Sequence, residues 1–139
     1  MRVCLDTNVL IAAFATRGLC ADVLRAVLTE HDLVLGEVIV AEFRRVLKTK
    51  LKMPAERIGF AEAVFDAIEI VPKPKHPAKI AVRDRDDRWV LATAIDGRAD
   101  VLVTGDADLR EVAAEAPFPI LTPREFWEHL RGGNPSGGR

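Results

Sequence analysis

Residues 3–10 of the chain read VCLDTNVL, and residues 101–109 read VLVTGDADL. In each stretch three apolar residues are followed, within three positions, by an aspartate and then by a helix-like segment. Apolar triplets of this kind are typical of short strands in a parallel sheet that is covered on both faces. We therefore predict two strand–aspartate–helix units, with Asp6 and Asp106 at the ends of their strands.

The rest of the chain alternates between strand-like and helix-like segments. We predict strands at residues 3–5, 32–35, 100–103 and 119–121, with 69–71 either a short strand or an extended exit from a helix. We predict helices at residues 8–14, 19–29, 37–50, 55–68, 86–96, 107–116 and 123–130. This alternation predicts the α/β class: three α/β/α layers around a central, mostly parallel sheet of four to five strands.

Length and composition limit how the chain is organised. Its 139 residues, 49% of them hydrophobic and 29% charged, are enough for one core and leave little room for a second. We predict one domain over residues 1–131 and a disordered glycine-rich tail over residues 132–139. The apolar runs are too short to span a membrane, and two cysteines do not form a disulfide framework, so we expect a cytoplasmic protein.

Charge is distributed unevenly along the chain. The net charge of −1 excludes attachment to nucleic acid by bulk positive charge alone. Twelve of the 20 basic residues nevertheless lie between residues 44 and 88, against seven acidic ones. This stretch is compatible with a polyanionic partner, although a solvated surface is the commoner explanation.

Two acids follow predicted strands directly or closely. Asp6 comes after the first strand, and Asp106 comes after the strand at 100–103. The carboxyl ends of parallel strands share one edge of the sheet, where ligands bind, so the two aspartates could face each other there. The alternative is structural, with each aspartate capping the helix that follows it.

Two further acids interrupt apolar helix faces. Glu42 lies three residues after Ile39 and four before Val46, within the apolar stripe of its helix. Asp87 begins an inward-facing row in a later helix. Such departures from patterning are expected at functional sites. The alternatives are an ion pair between Glu42 and Arg45, and a first-turn aspartate stabilised by the helix dipole.

Four carboxylates in one cleft repel one another, by about 1 to 4 kcal/mol per pair at about 4 Å. Either their pKa values rise or a divalent cation lies among them. Oxygen ligands without cysteine or histidine favour Mg²⁺ or Mn²⁺ over zinc. The histidines lie far from these acids in the sequence and are interpreted as surface residues: His31, His76 and His129.

Five segments together resemble the PIN domain, a nuclease fold found in the toxins of many bacterial toxin–antitoxin pairs. They are residues 3–10 (VCLDTNVL), 40–43 (VAEF), 84–94 (DRDDRWVLATA), 103–109 (VTGDADL) and 120–126 (ILTPREF). The likeness covers residues 1 to about 130 and keeps the order of the family's motifs. One such segment would be weak evidence, whereas four acidic motifs in order are specific.

The resemblance implies a metal-dependent endoribonuclease. The residues that match the catalytic, metal-binding acids of the family are Asp6, Glu42, Asp87 and Asp106, with Asp108 as an additional ligand. They would hold one or two Mg²⁺ or Mn²⁺ ions, and hydrolysis by an activated water would leave 5′-phosphate and 3′-hydroxyl ends. The residues placed to orient a carboxylate or a water are Thr7, Asn8 and Thr104. Asp86 is interpreted as the N-cap of its helix.

Basic residues beside two of the motifs are candidates for contacts with RNA phosphates. They are Arg44, Arg45, Arg85 and Arg88. The alternative is ordinary surface charge or pairing with an antitoxin. Trp89 and Trp127 are interpreted as packing residues, although a base-stacking role is open to them.

The predicted function is RNA cleavage by the toxin of a toxin–antitoxin pair. The resemblance further implies two protein partners, a small antitoxin and a second copy of the chain in a homodimer. Two alternatives stay open: an RNA-processing nuclease without an antitoxin, and a catalytically silent RNA-binding or scaffold domain. A phosphoacceptor signalling domain is disfavoured, because no lysine follows Lys79 to serve that chemistry.

Overall fold

The computed structural model describes residues 1–50 and 52–132. Its strands are β1 (Arg2–Leu5), β2 (Asp32–Gly36), β3 (Ile70–Val71), β4 (Val101–Val103) and β5 (Ile120–Leu121). They form one sheet in the order β3-β2-β1-β4-β5, and every pairing is parallel. The predicted α/β class and parallel sheet are confirmed, and the segment at 69–71 contributes the outer strand β3.

Seven α-helices lie within the described part of the chain. They are α1 (Thr7–Ala15), α2 (Leu19–Glu30), α3 (Glu37–Thr49), α4 (Ala55–Ala67), α5 (Arg85–Asp96), α6 (Ala107–Glu111) and α7 (Pro123–Leu130). Together with the sheet they form the three layers expected from the sequence. All but α6 agree with the predicted helices to within about one residue at each end, which is the ordinary uncertainty of helix boundaries.

The predicted helix at 107–116 is wrong in its second half. Helix α6 has five residues, and a 3₁₀ turn follows at Ala113–Glu115. At the junction the backbone N–H of Val112 bonds to the carbonyl of Leu109, three residues back, at 3.3 Å. Pro117 disfavours helical backbone at the residue before it. The tighter turn therefore returns the chain to β5 while Leu109 and Val112 stay buried.

Three phenylalanine rings hold α1, α3 and α4 together. Phe43 lies edge-on to Phe14 and to Phe65, with ring centroids 5.7 and 5.3 Å apart. Contacts of this geometry stabilise by about 0.5 to 1.5 kcal/mol beyond the burial of the rings. Because Phe43 is fully buried, it sets the rotation of α3 and places the adjacent Glu42 at the rim of the core.

Helix α5 packs closely on β2 because Gly36 has no side chain. A Cβ atom on Gly36 would overlap the methyl group of Thr93, which is itself fully buried in α5. Glycine in a strand commonly marks such a close approach. The contact holds the later turns of α5 against β2 and so limits how the helix, which carries Asp87 in its first turn, lies on the sheet.

No helix in residues 1–50 and 52–132 is long and apolar enough to cross a bilayer. Of the predicted tail at 132–139, Gly132 lies in a turn with a φ of 76°. Residues 133–139 lie outside the described residues. The single domain over residues 1–131 stays a prediction.

Candidate active site

A cleft of about 640 Å³ opens where β1 and β4 end. Seven of its lining residues carry carboxylates: Asp6, Glu37, Glu42, Asp84, Asp86, Asp87 and Asp106. Two described lining residues, Arg45 and Lys73, are basic. All four acids that the sequence places together line this cleft, and Glu37, Asp84 and Asp86 join them.

A second cavity, of about 660 Å³, lies between α1, α2 and α4. Its walls include the apolar residues Leu24, Leu28 and Phe60, and Glu56 is its one carboxylate among the described residues. Its other charged lining residues are Arg17, Arg25 and Arg57. One carboxylate among arginines does not offer the cluster of oxygen ligands that a divalent cation needs. We therefore assign the chemistry to the acidic cleft.

Three of the cleft aspartates cap helices that begin there. Their Oδ1 atoms accept backbone N–H groups: Asp6 from Thr7 at 2.7 Å, Asp84 from Asp86 at 2.9 Å, and Asp106 from Asp108 at 2.8 Å. The N-termini of α1, α5 and α6 therefore meet at the cleft, where their dipoles favour negative charge. Capping and a role in the cleft are compatible, because each cap engages one of the two carboxylate oxygens.

The prediction that Asp86 is the N-cap of α5 is wrong. Asp84 has the extended backbone of a cap, with φ −83° and ψ 122°, and α5 begins at the next residue. Asp86 lies in the first turn with an exposed side chain. The stretch 84–87 offers three aspartates as possible caps, so the path by which the chain enters the helix decides which one takes the role.

Thr104 links the two strand-end aspartates. Its hydroxyl donates to Oδ2 of Asp6 at 2.7 Å and accepts the backbone N–H of Asp106 at 3.0 Å. Burial raises the pKa of Asp6, while the hydrogen bonds from Thr104 and Thr7 oppose the rise. Thr104 thus contacts both aspartates, and the buried Thr7 and the exposed Asn8 line the cleft beside Asp6. The role of these three residues in orienting a carboxylate or a water stays a prediction.

Asp87 is the most perturbed carboxylate of the cleft. It is 7% exposed, and its Oδ2 atom has no hydrogen-bond partner among the described residues. Burial, and then the negative charges of Asp106, Asp6, Asp84 and Asp108, raises the pKa of Asp87 to about 7. A buried acceptor of this kind calls for a proton or a cation.

Glu42 forms an ion pair with Arg45, which the sequence analysis gave as the structural alternative to a role in the site. Its carboxylate accepts two hydrogen bonds from the guanidinium of Arg45, at 2.8 and 2.7 Å. These hydrogen bonds lower the pKa of Glu42. The side chain is 42% exposed. Glu42 therefore stands at the rim of the cleft, although Ile39 in the same apolar stripe is buried and Val46 is half-buried.

Of the four predicted RNA contacts, Arg45 lines the cleft and Arg44 does not. Arg44 forms a bidentate ion pair with Glu62 on α4, at 3.0 and 2.6 Å. Arg88 donates its Nε to the backbone carbonyl of Val82 at 3.0 Å. Arg85 is exposed. The structure thus separates the basic residues that the sequence had grouped together.

Lys73 is a cleft residue that the sequence interpretation missed. It belongs to the proline-rich segment 72–79, which lies between the predicted elements at 69–71 and 86–96. Its ammonium lies 4.7 Å from the centre of the Trp89 ring, and its backbone N–H donates to Glu37 at 2.8 Å. Lys73 and Trp89 both line the cleft, and Trp89 is half-buried there. Trp127, in contrast, packs against the core, as the sequence interpretation expected. A lysine beside prolines carries no sequence signal for this placement.

The fold and the cleft together define an α/β protein with a carboxylate-rich site of the kind that binds divalent cations. The family model described as PIN domain matches residues 2–108, about three-quarters of the chain. The chain therefore belongs to the PIN domain family. This membership supports the nuclease activity that the resemblance implied. No curated protein sequence matches the chain.

Two solved structures show the same fold. One is VapBC2 from Rickettsia felis bound to a DNA fragment from its promoter, with a TM-score of 0.58 and 16% identity over 87% of this chain and 97% of that chain. The other is FitAcB from Neisseria gonorrhoeae, with a TM-score of 0.58 and 20% identity over 88% of this chain and 98% of that chain. At these identities the likeness concerns the fold.

Proposed function

We propose that this chain is a Mg²⁺- or Mn²⁺-dependent endoribonuclease and the toxin of a toxin–antitoxin pair. One observation carries the proposal. Asp6, Asp87 and Asp106 line one cleft at the edge of the sheet, and Asp87 keeps a buried oxygen there that no described residue hydrogen-bonds. Membership of the PIN domain family supports the reaction class.

The cleft fits a hard divalent cation. Among the described lining residues its ionisable ligands are carboxylates, without cysteine or histidine, and such ligands prefer Mg²⁺ or Mn²⁺ to zinc. Asp6, Asp87 and Asp106 would hold the ion, with Asp108 beside Asp87 and Glu42 at the rim. When bound, the ion lowers the pKa of a water and offsets the charge of the phosphodiester.

The chain's own residues orient the acids and attract the substrate. The Thr104 hydroxyl donates to the carboxylate of Asp6 and accepts the backbone N–H of Asp106. These two bonds limit how far the two aspartates can move relative to each other. Arg45 and Lys73 bring positive charge to an otherwise acidic rim, where they would contact the phosphates that flank the scissile bond. Arg45 would exchange the carboxylate of Glu42 for a phosphate when RNA binds.

The RNA path is tested by charge reversal at the rim. We expect Lys73→Glu to weaken RNA binding and to reduce the slope of log affinity against log salt by about one. Arg44→Glu is the matched control, because Arg44 pairs with Glu62 away from the cleft. Binding is measured in an Asp6→Asn background, so that cleavage does not interfere. Equal losses in both variants would contradict the path.

The antitoxin partner is supported by the structural neighbours, since VapBC and FitAB are toxin–antitoxin complexes. A toxin of this kind arrests growth when it is expressed alone and stops doing so when its active site is disabled. We expect growth arrest from the wild-type chain and none from Asp6→Asn at equal expression. Cleavage without growth arrest would favour the alternative of an RNA-processing nuclease. The homodimer is likewise a proposal, checked by the mass in solution.

The decisive experiment is cleavage of a mixed-sequence RNA by the purified protein with Mn²⁺, with Mg²⁺ and with EDTA. Asp6→Asn removes a cleft charge, and Asp96→Asn removes an exposed charge at the far end of α5 as its control. We expect metal-dependent cutting by the wild type and by Asp96→Asn, and none by Asp6→Asn. Cutting that persists in EDTA would refute the metal requirement. A folded wild type that neither cuts RNA nor binds Mn²⁺ would favour the silent binding domain.

A further inference from the structure

Trp89 is the one aromatic side chain among the described residues that line the acidic cleft. It is half-buried and lies on α5, two residues after the buried Asp87. The other tryptophan of the chain, Trp127, packs against the hydrophobic core, whereas Trp89 is not among the described residues that do so. Packing in the core therefore does not account for an indole beside these acids.

The side chain that covers the Trp89 ring is a lysine. The ammonium of Lys73 lies over the indole, 4.7 Å from the ring centre. The backbone N–H of Lys73 donates to Glu37, which holds this part of the chain beside α5 while the lysine side chain stays exposed. A cation–π contact at an exposed site is weak, and a lysine side chain is flexible. The ring is thus covered by a group that a ligand can displace.

We propose that Trp89 stacks on a base of the bound RNA, and that Lys73 leaves the indole for a neighbouring phosphate when the base arrives. This inference rests on the proposed function, because it names the side chain that receives a base in the same cleft. Trp89 and Asp87 lie two residues apart on α5 and both line the cleft. The stacked base would therefore belong to a nucleotide beside the scissile phosphate.

Stacking supplies an attraction that the charges of this cleft do not. Seven described lining residues are acidic and two are basic, so the cleft as a whole repels the phosphates of RNA. Contact between a base and an aromatic ring does not depend on the charge of the cleft. Every base has a π-face, so such a contact tolerates many sequences. Trp89 would hold the base while Lys73 offsets the charge of the adjacent phosphate.

The first test compares Trp89→Leu, which removes the ring but keeps an apolar side chain, with Trp89→Phe, which keeps a smaller ring. Binding of a short mixed-sequence RNA is measured in the Asp6→Asn background. We expect Trp89→Leu to weaken binding about tenfold and Trp89→Phe to keep most of the affinity. An oligomer of the same length with the ribose-phosphate backbone but no bases should bind equally to all three proteins. Unlike Lys73→Glu, Trp89→Leu should leave the salt dependence of RNA binding unchanged.

The second test leaves Trp89 in place and uses its fluorescence. The chain has two tryptophans and no tyrosine, so Trp127→Phe leaves Trp89 as the one indole. We expect RNA to quench the fluorescence of Trp127→Phe strongly. The matched control is Trp89→Phe, which keeps only the core-packed Trp127 and should be quenched little. The oligomer without bases should leave the fluorescence of both proteins largely unchanged.

Three results would overturn the inference. They are RNA binding by Trp89→Leu as tight as that of its parent, an equal loss of binding to the oligomer without bases, and RNA binding that leaves the fluorescence of Trp89 unchanged. The proposed function is judged separately by metal-dependent cleavage. If the wild type cuts RNA while Trp89→Leu binds it normally, the nuclease stands and the stacking role falls. If RNA binds through Trp89 and neither Mg²⁺ nor Mn²⁺ supports cutting, the stacking role stands and the nuclease falls.

Discussion

Replacing Asp87 by asparagine should make the protein more stable while it removes a predicted catalytic acid. Burial and four neighbouring carboxylates raise the pKa of Asp87 from 3.8 to about 7 in the folded chain. Between these values the folded state holds a proton that the unfolded state has lost, so rising pH destabilises the fold. The loss of folding stability begins near pH 4 and is complete above about pH 7.

The magnitude follows from the size of the pKa change. At about 1.4 kcal/mol per pKa unit, a rise of about three units corresponds to about 4 kcal/mol. The cleft is open to water, which screens these charges, so we expect roughly half of that, about 2 kcal/mol. For a chain of this length the melting temperature should then rise by roughly 6 °C. Near pH 4 the gain in stability of Asp87→Asn over the wild type should fall to less than half of its value at about pH 8.

The assay is thermal denaturation in EDTA at about pH 8 and about pH 4, followed by circular dichroism. Asp86→Asn is the control, because it removes an exposed carboxylate from the same helical turn and loses the same dipole interaction, about 0.5 kcal/mol. We expect Asp87→Asn to melt above both the wild type and the control at the higher pH. An Asp87→Asn protein no more stable than Asp86→Asn, or one whose advantage does not change with pH, would refute this reasoning.

Three further predictions follow from other features of the structure. Thr104→Val removes the buried hydroxyl that donates to Asp6 and should cost about 2 kcal/mol in urea denaturation. Thr104→Ser should recover most of this, and an equally unstable Thr104→Ser would show that the hydroxyl is unimportant. Gly36→Ala should destabilise the fold by about 1 to 3 kcal/mol, since its methyl would overlap that of Thr93. Gly59→Ala, in open space on α4, should instead stabilise it by about 0.5 to 1 kcal/mol; two equal effects would contradict the packing argument. The RNA products should carry 5′-phosphate and 3′-hydroxyl ends, which phosphatase and ligase treatment identify. A 2′,3′-cyclic phosphate would contradict attack by water.

Much of the fold could be predicted because its signals are local. The apolar triplets at residues 3–5 and 101–103 are short and uninterrupted, which suits strands buried on both faces, and both are strands in the structure. The prediction of a helix at 107–116 was wrong in its second half because a non-local contact ends that helix. Its apolar spacing continues beyond Glu111 and so favours a longer helix. The chain must turn back there to reach β5, and that requirement comes from the sheet and not from the local sequence.

The acids of the cleft were predictable only in part. Asp6 and Asp106 follow strands, and a parallel sheet brings strand ends to one edge. Asp84 carried no such signal, because three aspartates within four residues are equivalent until the backbone enters α5. The partner of Arg44 could not be foreseen either, since Glu62 lies 18 residues away on another helix.

By itself, the sequence determined the strand–aspartate–helix units, the parallel α/β class and the collection of carboxylates at one edge of the sheet. These follow from short-range hydrophobic patterning and from the geometry that parallel strands impose. The tertiary structure alone decided that Glu42 pairs with Arg45 at the rim, that Lys73 joins the cleft, and that Asp87 is buried without a donor. Burial and distance between charges depend on how the helices pack, and that packing is set by contacts between residues far apart in the chain.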